Sequence, residues 1–153
     1  VTILNCALGA EDKDVVLGND SPPESHFSTG RNFVLDAQVP GHDSAAREFA
    51  CTMRRGRELF GGLERIDMIK CDIEGYEIVV IPEMGPVIDR HLPLVMIESG
   101  GENRPLITAF FEQKGYAGYI LERGRLRPAS ASNTKDLIFI HGSKSAGYAK
   151  LFV

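Results

Sequence analysis

The chain has 153 residues, of which 43% are hydrophobic and 25% are charged, a composition typical of one folded domain. Seventeen Lys and Arg residues against 21 Asp and Glu residues give a net charge of −4, which argues against a nucleic-acid partner held through many phosphates. Three cysteines without a CxxC pair indicate neither a disulfide framework nor a zinc site. No apolar run approaches the roughly 18 residues of a membrane span, so we expect a cytoplasmic protein with no membrane partner.

The first third of the chain combines short apolar runs with turn-forming residues. Residues 1–8 have the pattern of a strand that is already under way, and residues 32–39 form a second extended stretch that ends at Pro40. Between them, residues 19–31 are rich in Ser, Pro, Asp and Gly, which predicts a loop. From Ser44 onward apolar residues recur at helical spacing, so we expect a helix over about 44–59 within an insertion-like helical segment at 41–64.

Two apolar runs in the middle of the chain have the pattern of strands buried in a parallel sheet. Residues 66–73 and 92–97 are apolar on both faces, and the residues between them suit a helical crossover. Asn103, Pro105 and Gly115 then delimit the most clearly marked helix. Residues 116–121 and 136–141 are expected to pair as antiparallel closing strands. This alternation of helix with buried strand predicts an open α/β sheet.

An acidic residue ends each of the two buried strands. Asp72 ends the first and Glu98 ends the second, so in a parallel pair their carboxylates meet over one crevice, at the edge of the sheet where ligands bind. Two facing carboxylates can share a proton, act as a general base toward a hydroxyl, or hold a divalent cation. Each can also simply cap a helix or pair with an arginine, so the residues alone leave these roles open.

Other chemistry-bearing residues carry weaker signals. Arg54, Arg55 and Arg57 can clamp a phosphate, although a run of arginines is more often a solvated face. The four histidines have no metal-binding spacing, and no GxSxG elbow supports a hydrolase.

A charge-rich run inside an otherwise apolar strand gives the strongest family signal. It reads Asp67-Met-Ile-Lys-Cys-Asp-Ile-Glu-Gly-Tyr-Glu77, and it resembles the Lys-x-Asp-x-Glu-Gly-x-Glu signature of the FkbM-type family of S-adenosylmethionine-dependent methyltransferases. Shorter matches flank it in the family's order, at Asn5-Cys-Ala-Leu-Gly9 and at Leu94-Val-Met-Ile-Glu98. Residues 133–140 also look like the family's last strand, so the resemblance covers most of the chain.

The resemblance implies a fold and an activity. The fold is the Rossmann-like mixed sheet of class I methyltransferases, with helices on both faces. The activity is transfer of a methyl group from S-adenosylmethionine to a hydroxyl of a carbohydrate or secondary metabolite. The Gly-rich turn and the acidic strand end supplied by the first two strands of that fold have no counterpart in this sequence. We therefore expect residues 1–153 to be a single, partial methyltransferase domain that lacks those two strands and is inactive alone.

The resemblance also implies roles for individual residues. Ala7 and Leu8 would line the adenine of the cofactor, and Asp72 would face both the cofactor and the acceptor. Asp72 is the expected base, with Glu98 in support.

Four further residues belong to the signature. Lys70 is most simply the counter-ion of an acid, and Gly75 most simply supplies a positive φ for the turn. Glu77 falls in the first turn of the next helix, where the helix dipole alone can account for an acid. The signature does not define a role for Glu74.

Two other functions stay open at this point. A non-catalytic interaction module that kept the sheet without the cofactor half fits the absence of the Gly-rich turn. A metal-dependent enzyme that uses Asp72, Glu74 and Glu98 without a sulfonium cofactor fits the clustered acids. The expected partner is a small-molecule hydroxyl acceptor. The acceptor's identity, self-association and the use of a divalent metal stay undecided.

Overall fold

The computed structural model describes residues 1–21, 32–35 and 44–152, and these form two mixed β-sheets with four α-helices. The α/β class expected from the sequence is therefore confirmed, with two sheets in place of one open sheet. Within these ranges, no helix combines the length and the apolar character needed to cross a bilayer.

The first sheet is formed by the amino-terminal strands, in the order β1-β4-β2-β3. These strands are β1 (Ala7–Gly9), β2 (Lys13–Asn19), β3 (Asn32–Val34) and β4 (Arg47–Arg55). The strand expected over 1–8 is wrong for residues 1–5, which are exposed and outside any strand. Residues 36–39 of the strand expected over 32–39 lie outside the described residues, as does most of the loop expected over 19–31.

The helix predicted over 44–59 is wrong, because residues 47–55 are β4 and only Gly56–Phe60 is helical, as α1. β4 pairs in parallel with β1 and antiparallel with β2, so residues 44–64 of the expected helical insertion contribute an inner strand instead, while residues 41–43 lie outside the described residues. Phe49 and Met53 follow helical spacing, but together with Cys51 they also alternate as in a strand, and pairing with strands on both sides decides between the two patterns. Met53 is buried against Gly9, where any side chain would collide with the Met53 sulfur.

The second sheet carries the features that the sequence predicts best, and its order is β5-β6-β9-β7-β8. Its strands are β5 (Met68–Cys71), β6 (Leu94–Glu98), β7 (Tyr116–Glu122), β8 (Arg125–Pro128) and β9 (Asp136–His141). The parallel pair β5 and β6 and the antiparallel pair β7 and β9 are both confirmed. β8 was not predicted; it forms a hairpin with β7 through Arg123 and Gly124, which both have positive φ.

Helices cover one face of the second sheet. The predicted crossover is confirmed as α2 (Glu77–Glu83) and α3 (Gly85–His91), and the predicted helix from Asn103 is confirmed as α4 (Asn103–Gln113). Phe111 of α4 is fully buried and stacks on Phe139 of β9 at a ring-centroid distance of 4.3 Å. The opposite face packs at one end against Tyr148 of a 3-10 helix, Gly142–Leu151, and is otherwise open to the site described below.

The segment between β8 and β9 is fixed by one side chain of α4. The Arg104 guanidinium donates hydrogen bonds to the backbone carbonyls of Thr134 (2.6 Å), Ala129 (2.6 Å) and Ser132 (2.8 Å). Lys135, the residue after Thr134, accepts a hydrogen bond at its backbone carbonyl from Ser99 N–H at 2.9 Å. These bonds attach the start of β9 to the end of β6.

Arg104→Ala should therefore destabilise the chain, because three backbone carbonyls lose a charged donor. We expect the free energy of unfolding to fall by about 2–4 kcal/mol in urea denaturation. Arg90→Ala is the matched control, since Arg90 donates a single hydrogen bond to the Gly61 carbonyl at the surface, and it should cost under about 1 kcal/mol. Equal losses in the two variants would contradict the role assigned to Arg104.

Candidate functional site

The two predicted strand-end acids line the same cavity. This strand-end cavity has a volume of about 370 Å³ and lies at the carboxyl ends of β5 and β6. Cys71 is paired with Ile97 in the parallel register, so Asp72 and Glu98 occupy matching positions one residue further on. The residues that line the cavity are Lys70, Cys71, Asp72, Met96, Ile97, Glu98, Leu121, Thr134, Asp136, Leu137 and Ile138. The convergence expected from the sequence is therefore confirmed.

Lys70 is the counter-ion of Asp72, as the sequence suggests. Its ammonium donates a hydrogen bond to Asp72 Oδ2 at 2.8 Å, and this bond raises the pKa of Lys70, with further contributions from Asp136 and Glu98. The pair is not buried, because the Lys70 side chain is 63% exposed. The contact holds the Asp72 carboxylate in one position beside the cavity.

Glu98 lies in the more acidic part of the site. Partial removal from water raises the pKa of Glu98 most, and the negative charges of Asp72 and Asp136 raise it further, while Lys135 opposes them. Asp136 is directly opposite Glu98 in the antiparallel register of β6 and β9. Like charges opposite one another on paired strands are destabilising, and such arrangements concentrate at functional sites.

The sequence interpretation did not single out Asp136 or Thr134. A signal was available, because an antiparallel strand begins at the edge of the sheet where its parallel neighbours end. An acid at the first residue of the predicted last strand therefore belongs with the acids that end the two parallel strands.

The rest of the signature forms a turn beside a second cavity. Glu74 and Gly75 both have positive φ, of 55° and 97°, so the prediction for Gly75 is confirmed. Asn103 at the start of α4 donates a side-chain hydrogen bond to the Gly75 carbonyl at 3.1 Å. The glycine-loop cavity, of about 460 Å³, is lined by Glu74, Gly75, Glu77, Glu98, Ser99, Gly100, Gly101, Asn103 and Lys135.

Glu77 does more than begin the next helix. It is the first residue of α2, as expected, but it is only 1% exposed, and its Oε1 accepts a hydrogen bond from Ile73 N–H at 2.9 Å. It therefore closes the signature turn. Burial, together with the charges of Glu77 and Asp72, raises the pKa of the neighbouring Cys71 thiol to about 12, so Cys71 is a poor nucleophile.

Ala7 and Leu8 line a different cavity from Asp72. This apolar cavity has a volume of about 300 Å³ and includes Ile73 and Tyr76 from the signature turn. Its other lining residues are Cys6, Leu17, Asn32, Phe33 and Val34. The residues expected at the cofactor thus contact the signature turn without sharing a cavity with Asp72.

Among the described residues, the arginine candidates do not form a second site. Each of the three arginines has an acidic partner: Arg54 pairs with Asp12, Arg55 with Asp12 and Glu58, and Arg57 with Glu83. His26 and His42 lie outside the described residues. Across the part of the chain that the structure describes, no three His, Cys, Asp or Glu side chains are grouped in a way that could hold a metal ion.

Comparisons with known proteins found no matching family model, no matching curated protein and no matching solved structure.

The raised pKa of Glu98 leads to a pH-dependent prediction. The folded chain binds this proton more tightly than the unfolded chain does, so stability falls as the pH rises through the interval between the two pKa values. Glu98→Gln removes the charge and its repulsion with Asp136. We expect the variant to melt at a higher temperature than the wild type near neutral pH, and the gain to vanish near about pH 4, where the wild-type carboxyl is protonated.

Glu122→Gln is the control, because Glu122 is attracted to a positive charge: it forms an ion pair with Arg127 at 2.9 Å. Its loss should leave stability unchanged or slightly lower at neutral pH. If Glu98→Gln behaves like this control, the repulsion assigned to Glu98 is wrong.

Proposed function

We propose that this chain belongs to an S-adenosylmethionine-dependent O-methyltransferase of the FkbM type, built on the Rossmann-like sheet of class I methyltransferases. The reaction moves a methyl group to a hydroxyl of a carbohydrate or secondary metabolite. The observation that carries the proposal is the convergence of Asp72 and Glu98 on one cavity at the carboxyl ends of parallel strands. The parallel pair with its helical crossover and the antiparallel last strand are compatible with such a sheet.

The strand-end cavity suits activation of a hydroxyl. Methyl transfer by in-line displacement depends mainly on positioning, with a carboxylate to take the hydroxyl proton. The sequence favours Asp72 as that base, whereas the contacts favour Glu98. Asp72 already accepts a hydrogen bond from Lys70, whereas partial removal from water and the acidic surroundings raise the pKa of Glu98, which makes Glu98 a stronger proton acceptor than an ordinary glutamate. In this scheme Asp72 orients the acceptor hydroxyl and Glu98 takes its proton.

The apolar cavity fits one end of the cofactor. Ala7, Leu8, Ile73 and Tyr76 offer apolar walls to a flat adenine ring. No charged side chain of the described residues lines this cavity to hold a ribose or an amino-acid group. S-adenosylmethionine, when bound, supplies the sulfonium methyl group.

We therefore expect residues 1–153 alone to bind S-adenosylmethionine weakly or not at all, because none of the described residues that line the apolar cavity is a charged anchor for the polar ends of the cofactor. Isothermal titration calorimetry measures this directly. Low-micromolar affinity would show that the cofactor's polar ends find their partners within this chain.

The role of the two acids is tested by conservative substitution in the complete natural protein, with transfer of labelled methyl groups as the readout. Asp72→Asn and Glu98→Gln should each lower kcat by about 10²–10⁴, since each removes a charge that handles the acceptor hydroxyl. Asp67→Asn is the matched control: Asp67 precedes the same strand, pairs with Arg65 and does not line the cavity, so this variant should keep near wild-type activity.

A chelator separates carboxylate catalysis from metal catalysis. If a carboxylate takes the proton, chelation leaves wild-type activity nearly unchanged. Loss of activity on chelation, with recovery on adding Mg²⁺ or Mn²⁺, would favour the metal-dependent alternative. No methyl transfer by the complete protein would favour the interaction module.

A further inference from the structure

We infer that the glycine-loop cavity binds the body of a neutral, hydroxyl-rich acceptor, a sugar or another polyol. The inference rests on the proposed function, because this cavity shares Glu98 with the strand-end cavity. A ligand that fills it brings a hydroxyl to the two strand-end acids.

Two residues of the cavity wall each have a buried polar atom without a hydrogen-bond partner among the described residues. Glu77 is 1% exposed and Ser99 is 3% exposed, and both line the cavity. Neither Glu77 Oε2 nor Ser99 Oγ has a hydrogen-bond partner among the described residues. Folded proteins rarely leave buried polar atoms unpaired, because each costs stability. Because both residues line the same cavity, a ligand there that reaches these atoms would complete their hydrogen bonds.

The residues that line the cavity carry charges of both signs, and this mixture favours a neutral ligand. Glu74, Glu77 and Glu98 disfavour an anion, while Lys135 and the amino-terminal end of α4 at Asn103 disfavour a cation. A hydroxyl both donates and accepts hydrogen bonds, so it can bond to the carboxylates and also to the ammonium and amide groups. A polyol presents several such groups at once.

The glycines of the loop leave space in the cavity for a small molecule. The volume of about 460 Å³ is within the range of small-molecule pockets. Gly100 lets the aliphatic part of Lys135 lie across the loop, because a Cβ there would be 2.9 Å from Lys135 Cγ. Gly101 has a φ of 55° and open space around it. The loop therefore combines a close backbone approach with the positive φ that glycine tolerates.

The test is a titration of the 153-residue chain followed by amide NMR shifts. Methyl α-D-glucopyranoside, tetramethylammonium and inorganic phosphate serve as the neutral polyol, cation and anion probes. The glycoside should shift the Ser99, Gly100 and Gly101 amides saturably, and the two ions should not. Saturable shifts at these amides with either ion and none with the glycoside would overturn the inference, and so would no shift with any probe.

Ser99→Ala and Glu77→Gln test the two unpartnered atoms. Each should weaken glycoside binding about 5–10-fold, since Ser99→Ala removes one hydrogen bond to the ligand and Glu77→Gln replaces a charged acceptor with a neutral amide. Ser99→Ala should also keep or raise the melting temperature, because the lost hydroxyl has no hydrogen-bond partner among the described residues. A clear fall in melting temperature would show a structural role and contradict the inference. Ser145→Ala, outside the cavity, should change neither quantity.

The two proposals fail in different ways. Asp72→Asn should lower methyl transfer in the complete protein by about 10²–10⁴, while the glycoside should still shift the Ser99, Gly100 and Gly101 amides saturably, since Asp72 does not line this cavity. Glycoside binding without any methyl transfer refutes the proposed function alone. If the rate of methyl transfer is unchanged in both Ser99→Ala and Glu77→Gln, the polyol site alone is refuted.

Discussion

The site depends on the parallel pairing of β5 with β6. Parallel strands end at the same edge of a sheet, and the register of Cys71 with Ile97 puts the next residue of each strand, Asp72 and Glu98, side by side. Alternation along the strands then selects the face: Ile97 faces the helices, and Glu98 faces the open side with Met96. A shift of one residue would bury the acids and expose the core.

Much of the site is held by residues that carry no chemistry of their own. Arg104 fixes the segment that leads into β9, which sets Asp136 opposite Glu98. Glu77 closes the signature turn through Ile73, and Asn103 holds the Gly75 carbonyl. These bonds link the turn after β5, the start of α4 and the start of β9. The repulsion among the acids is therefore opposed by backbone contacts around the cavity's rim.

In the proposed reaction the three cavities would have different roles. The strand-end cavity is lined by Asp72 and Glu98, the glycine-loop cavity shares Glu98 with it, and the apolar cavity includes Ile73 and Tyr76 of the signature turn. The signature residues from Lys70 to Glu77 contribute to all three. This short run can line three cavities because successive side chains point in different directions along a strand and the tight turn that follows it.

The sequence by itself determined most of the second sheet, where pattern and structure agree except at β8. Continuous apolar runs predicted β5 and β6, the Asn, Pro and Gly signals predicted α4, and a short connection predicted the antiparallel closing strands. The positions of Asp72 and Glu98 followed from those elements. Local composition was sufficient there because each pattern suits only one secondary structure.

Only the tertiary structure decided β4 and the fine arrangement of the site. Residues 47–55 satisfy both helical and strand spacing, and pairing with β1 and β2 determined the outcome. The facing of Asp136 and Glu98 and the unpartnered atoms of Glu77 and Ser99 arise between residues far apart in sequence. Such contacts depend on strand order and packing, which periodicity along the chain does not encode.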